Sequence, residues 1–223
     1  MGPTAFAALM SDAQADPPLD EAAIAIAGAL QPGLDPIEWL AALDALAGSC
    51  PTPTPDGVAR HLCVELGFTG DRADYGSWRN SCLDQVIVRR RGIPITLAVV
   101  MIEVARRLGV ELVGVGLPAH FLVGTADGEQ FYDPFHTADT FDQDGVRDLF
   151  RQVTGGRMSW QAAYLEPTPP RHVVIRMLNN LRATLAERDD ALRLGIVMDL
   201  RAMIPEIAAR EDAEIRAATA VFN

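Results

Sequence analysis

The sequence predicts an α+β fold, with a buried helix on a short antiparallel sheet and helical parts on either side. Three observations carry this expectation. Residues 19–67 place apolar side chains at helical spacing, and residues 94–108 are apolar almost all round and precede three short strand-like runs. From residue 142 the helical spacing returns.

The elements follow in order. Residues 1–18 read as a flexible leader. A helix should follow Asp20, with Ala22, Ala23, Ile26, Ala27 and Leu30 on one face, and end at Pro32-Gly33. Asp35-Pro36 restarts a helix with Asp as N-cap and Pro at the first position, carrying Trp39, Leu40, Leu43 and Leu46. After the Pro/Thr linker 49–55, Thr54-Pro55 caps a third helix that stops at Gly67, so residues 19–67 make a helical part. Asn80 or Ser81 is placed to cap a helix running to Arg91 and closed by Gly92. Pro94 opens the central helix, where Leu97, Val100, Met101, Val104 and Leu108 form one stripe and Ile95, Ala98, Val99 and Ile102 fill the other sides. Glu103, Arg106 and Arg107 mark its wet end, and Gly109 terminates it. Strand signals cover 110–117, 119–125 and 129–135. Helical patterns then cover 142–153, 171–187, 190–203 and 205–220, with Pro167–Pro170 as a boundary before the tail.

Composition narrows the function classes. All 19 basic residues are arginine, which removes lysine-dependent sites such as a P-loop or a Schiff-base lysine. The net charge of −11 argues against nucleic acid as a partner. Charge is unevenly spread: −8 over 1–59, +3 over 71–107 and −6 over 108–170. Three cysteines, Cys50, Cys63 and Cys82, do not make a disulfide framework, and no CxxC or HExxH spacing occurs. No signal peptide and no membrane-length apolar run is evident, so a cytoplasmic protein without a membrane partner is expected.

One constellation carries chemistry. Asp127-Gly128 between two apolar runs predicts a two-residue type I′ hairpin in which opposed positions sum to 255. Ala126 then faces Glu129, Leu122 faces Asp133 and His120 faces Phe135. His120 and Asp133 become diagonal neighbours on one face of the sheet, within imidazole-to-carboxylate reach. A His oriented by an Asp is the base-and-orienter half of a catalytic triad. Cys82, in the first turn of a helix, is the candidate nucleophile, with Ser81 and Thr96 as weaker ones. The plain alternatives are a buried structural Cys82 and a His120–Asp133 pair that braces a hairpin. His136 lies three residues beyond Asp133 and allows a His/Asp/His metal reading, but no ligand spacing marks one, so neither metal nor cofactor is expected. Arg79, Arg89, Arg90 and Arg91 flank the turn into the central helix, a place to hold an anionic ligand. His61 and His172 sit in helical contexts and read as structural.

The pieces LGFTG (66–70), Tyr75, RNSCLDQV (79–86), RRRGIPITL (89–97), VARRLGV (104–110), GVGLPAHFLV (114–123) and YDPF (132–135) closely resemble the SirB-one family of transglutaminase-like proteins. IRMLNNL (175–181) is similar to the start of that family's tetratricopeptide-like C-terminal helices. The resemblance implies a transglutaminase-like (papain-like) core over 68–166 and a tail of such helices over 171–223. It also implies that His120 and Asp133 match the His and Asp of transglutaminase-like enzymes. Those enzymes start the central helix with a cysteine, where this chain reads GIPIT. The resemblance therefore implies a pseudoenzyme-like regulator that binds a protein or peptide partner. The alternative is a cysteine-dependent, protease-like hydrolase or acyl transferase using Cys82, His120 and Asp133.

Overall fold

The structure, a computed structural model, describes residues 3–209. Four helices come first: α1 (Pro3–Met10), α2 (Leu19–Leu30), α3 (Pro36–Gly48) and α4 (Pro55–Arg60). The last runs on as one π-helical turn, His61–Glu65, before Gly67 turns with φ +77°. The two predicted caps form: Asp35 accepts from the Ile37 N–H and Thr54 from the Gly57 N–H. The leader 1–18 is corrected. It contains α1, whose Phe6 and Met10 are fully buried, because three apolar residues at helical spacing find the core even without a strong periodic signal.

A two-residue β1 (Thr69–Gly70) pairs in parallel with β2 (Arg91–Gly92). Between them lie a 3₁₀ turn, Trp78–Ser81, and α5 (Leu83–Arg89). The central helix α6 (Pro94–Arg107) starts on its proline as expected, with eleven of its fourteen residues buried. Its expected wet end is partly wrong. Glu103 is only 2% exposed, because Arg106 and Arg107 clamp it together with Asp20 of α2. Arg107 also reaches Asp44 of α3, so this network ties three helices together.

The main sheet is antiparallel throughout, in the order β6-β5-β4-β3-β7: β3 (Leu112–Leu117), β4 (His120–Thr125), β5 (Phe131–Asp133), β6 (Asp139–Phe141) and β7 (Pro167–Thr168). The two edge strands were not legible as strands. β6 is three residues of mixed polarity, and β7 falls within the proline-rich stretch read as a boundary. Phe121 and Val123 of β4 join the main core with α6, while Leu122 on the other face packs with Val146 and Leu149 of α7 (Gln143–Thr154). The sheet thus has a helix on each side.

The tail helices α8 (Pro170–Glu187) and α9 (Ala191–Ala202) insert Val173, Val174, Met177, Leu178, Leu181, Val197 and Leu200 into the same core as α2 and α6. The helical ends and the middle therefore share one core rather than three. Residues 205–209 are helical, and the rest of the helix expected over 205–220 lies outside the described residues. Among the described residues, no helix is long and apolar enough to cross a membrane.

Candidate functional site

His120 and Asp133 are brought together by two hairpins. Pro118-Ala119 forms the tight turn between β3 and β4, with Ala119 at φ +62°, and sets His120 opposite Leu117 as the first residue of β4. The β4–β5 register pairs Val123 with Tyr132 and Gly124 with Phe131, so opposed positions sum to 255 as expected. The turn itself is not type I′. That turn needs φ > 0 at both central residues, and only Gly128 has it, at φ +70°. Instead Thr125 and Gln130 close a four-residue loop, and Asp127 accepts from the Thr125 hydroxyl and the Glu129 N–H. Lengthening the loop by one residue on each side leaves the register unchanged.

The resulting cluster has three members. His120 Nε2 lies 2.7 Å from Asp133 Oδ2, and His136 Nδ1 lies 2.7 Å from the same oxygen. Asp133 Oδ1 accepts from the Phe135 N–H at 3.0 Å, which caps the 3₁₀ turn Pro134–His136 and fixes the carboxylate. Asp133 is fully buried. Burial by itself would raise its carboxyl, but the hydrogen bonds and charges of His120 and His136 outweigh it and hold the carboxyl below the usual range. Thr137 and Ala138 both follow with φ near +60°, an uncommon pair for residues with a Cβ. They swing the chain back into β6, so that Asp139 stands opposite Asp133 in the ladder.

Neighbouring groups stiffen the cluster. The Phe135 ring meets His120, His136 and Tyr75 edge-on, with centroids 6.3, 5.1 and 5.9 Å away. It sits over Gly70, where a Cβ would come within 2.4 Å of the ring. Arg176 of α8 donates to the carbonyls of Leu117 and His120 and stacks on Phe121, which fastens the turn before His120. A cleft of about 500 Å³ opens beside the cluster, lined by Asp133, His136, Asp139 and Phe141, and by Asp148 and Leu149 of α7. A larger cavity of about 720 Å³, bordered by Asp20, Glu103 and Arg106, holds none of the candidate residues.

The candidate nucleophiles are placed differently from expectation. Cys82 is the N-cap of α5 rather than a first-turn residue, its side chain caps nothing, and it is fully buried. Burial pushes its thiol well above the usual value, and the charges that act on it are those of Asp84 and Arg193. Asp133 acts instead on Cys63, in the π-helical turn, whose thiol is pushed up to about 12, first by burial and then by that carboxylate. Ser81 is buried. Thr96, in the first turn of α6, spends its hydroxyl on the carbonyls of Asn80 and Ile93. His61 bridges the Ser49 hydroxyl and Glu65. Because Ser49 follows the C-terminal end of α3, where the helix dipole opposes an oxyanion, this arrangement is a brace between helices.

The arginine-rich turn is largely consumed by the fold. Arg89 bonds Asn80 and Asp71, Arg90 bonds the Leu66 carbonyl, and Arg79 stacks on Trp78. Sequence reasoning did not find Arg176, Asp139 or the role of Gly70. Arg176 lies inside the IRMLNNL stretch, and no local pattern separates it from Arg171 and Arg182 of the same helix.

A family model described as "Transglutaminase-like superfamily" matches residues 38–179. Among curated proteins, a UPF0162 protein of Xylella fastidiosa (strain Temecula1) is 42% identical over 137 residues, which is 59% of this chain and 49% of that protein. A UPF0162 protein of Pseudomonas aeruginosa is 34% identical over 179 residues, covering 76% of this chain and 66% of its own length. F-box only protein 21 of Homo sapiens is 40% identical over 75 residues, 34% of this chain and 12% of that protein. The chain spans about half the length of the Xylella relatives it matches. No solved structure matches it.

Proposed function

From the premise that this chain belongs to the transglutaminase-like superfamily, we propose that it is a non-catalytic or weakly catalytic regulator that binds a protein or peptide partner at the His120 end of the sheet. One observation carries the reading: the buried His120–Asp133 pair is kept while Cys63 and Cys82 are buried, protonated thiols and Thr96 at the start of α6 is bonded to backbone. A triad needs its nucleophile within hydrogen-bond reach of the base and activated by it. The groups at the cleft mouth, Asp139, Asp148 and His136, suit a partner segment that carries arginine or lysine. Within the superfamily we assign the chain to the SirB-one family, working in the cytoplasm, with α8 and α9 as the start of a tetratricopeptide-like tail.

Two measurements test this. Purified protein is offered a nitrophenyl ester and a glutamine-peptide/amine pair. The expected result is at most trace turnover, and sustained multiple turnover that His120→Ala abolishes overturns the reading. An array of immobilised peptides should retain basic sequences and lose them with Asp139→Asn/Asp148→Asn, whereas preference for acidic peptides or no preference overturns the assignment of the cleft. The competing reading is a hydrolase or acyl transferase built on Cys82, His120 and Asp133. It requires Cys82 to alkylate with iodoacetamide in the native protein at neutral pH, and to slow in His120→Ala.

A further inference from the structure

We propose that His120, Asp133 and His136 form a binding site for one divalent transition-metal ion of the zinc class, with an open coordination position facing the cleft.

The geometry is the first reason. One ligand atom from each of the three residues lies within 4.8 Å of the other two. Two imidazole nitrogens converge on the same carboxylate oxygen, each at 2.7 Å. A tetrahedral zinc ion, about 2.1 Å from each ligand, holds its ligand atoms roughly 3.4 Å apart. The ion therefore enters by opening the two carboxylate contacts by less than about 1 Å and bringing the imidazole nitrogens, already within 4.8 Å of each other, to the same spacing.

The second reason is redundancy. Bracing a hairpin or orienting His120 requires only one imidazole on Asp133. His136 brings a second imidazole to the same oxygen, from a segment bent there by two consecutive left-handed residues, Thr137 and Ala138. A mere brace gains little from that arrangement, whereas a metal gains its third ligand. Two histidines and one carboxylate suit zinc, iron(II) or manganese rather than calcium or magnesium.

The surroundings fit as well. The Phe135 N–H holds Asp133 Oδ1 and so presents Oδ2 as the ligand atom, the kind of outer-shell hydrogen bond that orients metal carboxylates. The Asp133 side chain is fully enclosed and that of His120 is 6% exposed, while the His136 side chain is 34% exposed and borders the cleft. The ion thus has a dry floor and a wet entrance. Asp139, opposite Asp133 in the β5–β6 ladder, lines the cleft onto which the open position faces. This site does not rest on the partner-binding reading, since metal stoichiometry is measured on the isolated protein.

The test strips the full chain with a chelator, adds Zn²⁺, removes excess by gel filtration and measures bound metal, with calorimetry for affinity. Wild type should hold one equivalent with Kd below about 1 µM. His136→Ala should weaken binding at least ~10-fold while far-UV circular dichroism stays native, and His172→Ala, at an exposed histidine in α8, should bind as wild type does. Co²⁺ in place of Zn²⁺ should give the intense visible bands of a four-coordinate ion in wild type, and lose them in His136→Ala. If His136→Ala does not fold, His136→Gln takes its place with the same expectations. Wild type without stoichiometric metal, or a His136 variant that binds like wild type, overturns the proposal.

Discussion

Replacing Asp133 separates the charge of this carboxylate from its hydrogen bonds. It accepts three N–H groups: His120 Nε2 and His136 Nδ1 at 2.7 Å and the Phe135 backbone at 3.0 Å. In Asp133→Ala, water can reach the partly exposed His136, but the His120 and Phe135 donors remain buried. Each stranded donor costs about 1–3 kcal/mol. Relief from burying a charge returns part of this, so the net loss is about 2–4 kcal/mol. Asp133→Asn keeps an oxygen for the Phe135 N–H, and its amide can donate to both imidazoles once each turns an unprotonated nitrogen toward it. Only the charge assistance is lost, about 1–2 kcal/mol. At about 2–4 °C of Tm per kcal/mol for a domain of this size, the alanine variant should melt several degrees below the asparagine variant. Because the folded carboxyl lies below its unfolded value, its contribution is complete above about pH 4 and disappears as pH falls through the lower folded value. The gap between wild type and Asp133→Asn in urea melts should therefore be full at pH 7 and shrink toward pH 3. Equal losses for Ala and Asn, or a gap that is the same at pH 7 and pH 3, would refute this account of the cluster.

Two further outcomes follow from packing. Gly70→Ala places a methyl 2.4 Å from the Phe135 ring, and the rigid ring must shift. The expected cost is about 1–3 kcal/mol by thermal melting; adding Phe135→Leu should recover part of it, and strictly additive losses would contradict the contact. Arg171 is buried, binds Glu206 through two nitrogens and donates to the carbonyls of Met10 and Asp12. Arg171→Ala should cost about 2–4 kcal/mol, toward the lower end for a buried ion pair because Glu206 is partly exposed. A loss under about 1 kcal/mol would mean that residues 3–12 do not dock.

Much of the architecture was readable because its signals are local. Pro94 at the first helical position, an all-round apolar run and Gly109 define α6, and Asp35-Pro36 and Thr54-Pro55 define two helix starts. The β4–β5 register survived a wrong turn type because adding one residue to both sides of a loop preserves the pairing sum and the side-chain faces. What could not be read depends on distant partners. Phe6 and Met10 are buried only because the core offers them a place, and β7 is a strand only because β3 presents an edge. Cys82 looked activated because a helix start was expected one or two residues earlier; a 3₁₀ turn takes up those residues, leaving Cys82 as a buried N-cap.

Charge gives the site its chemical direction. The one net-positive stretch of the chain suggested an anionic ligand at the turn before α6. Yet Arg89 is spent on Asp71 and Asn80, Arg106 and Arg107 on Asp20, Glu103 and Asp44, and Arg176 on two carbonyls. These cations act inside the fold, where each compensates a buried or half-buried acceptor. At the cleft the balance has the opposite sign. Asp133 is held ionised, Asp139 faces it across the ladder, and Asp148 of α7 lines the cleft while pairing with Arg151. Most of this arginine-rich segment is thus spent inside the fold, with Arg72 stacked on Phe135, and the cleft it supports is lined by carboxylates. Both the basic peptide and the metal ion proposed for this cleft are what a fixed cluster of carboxylates and imidazoles selects.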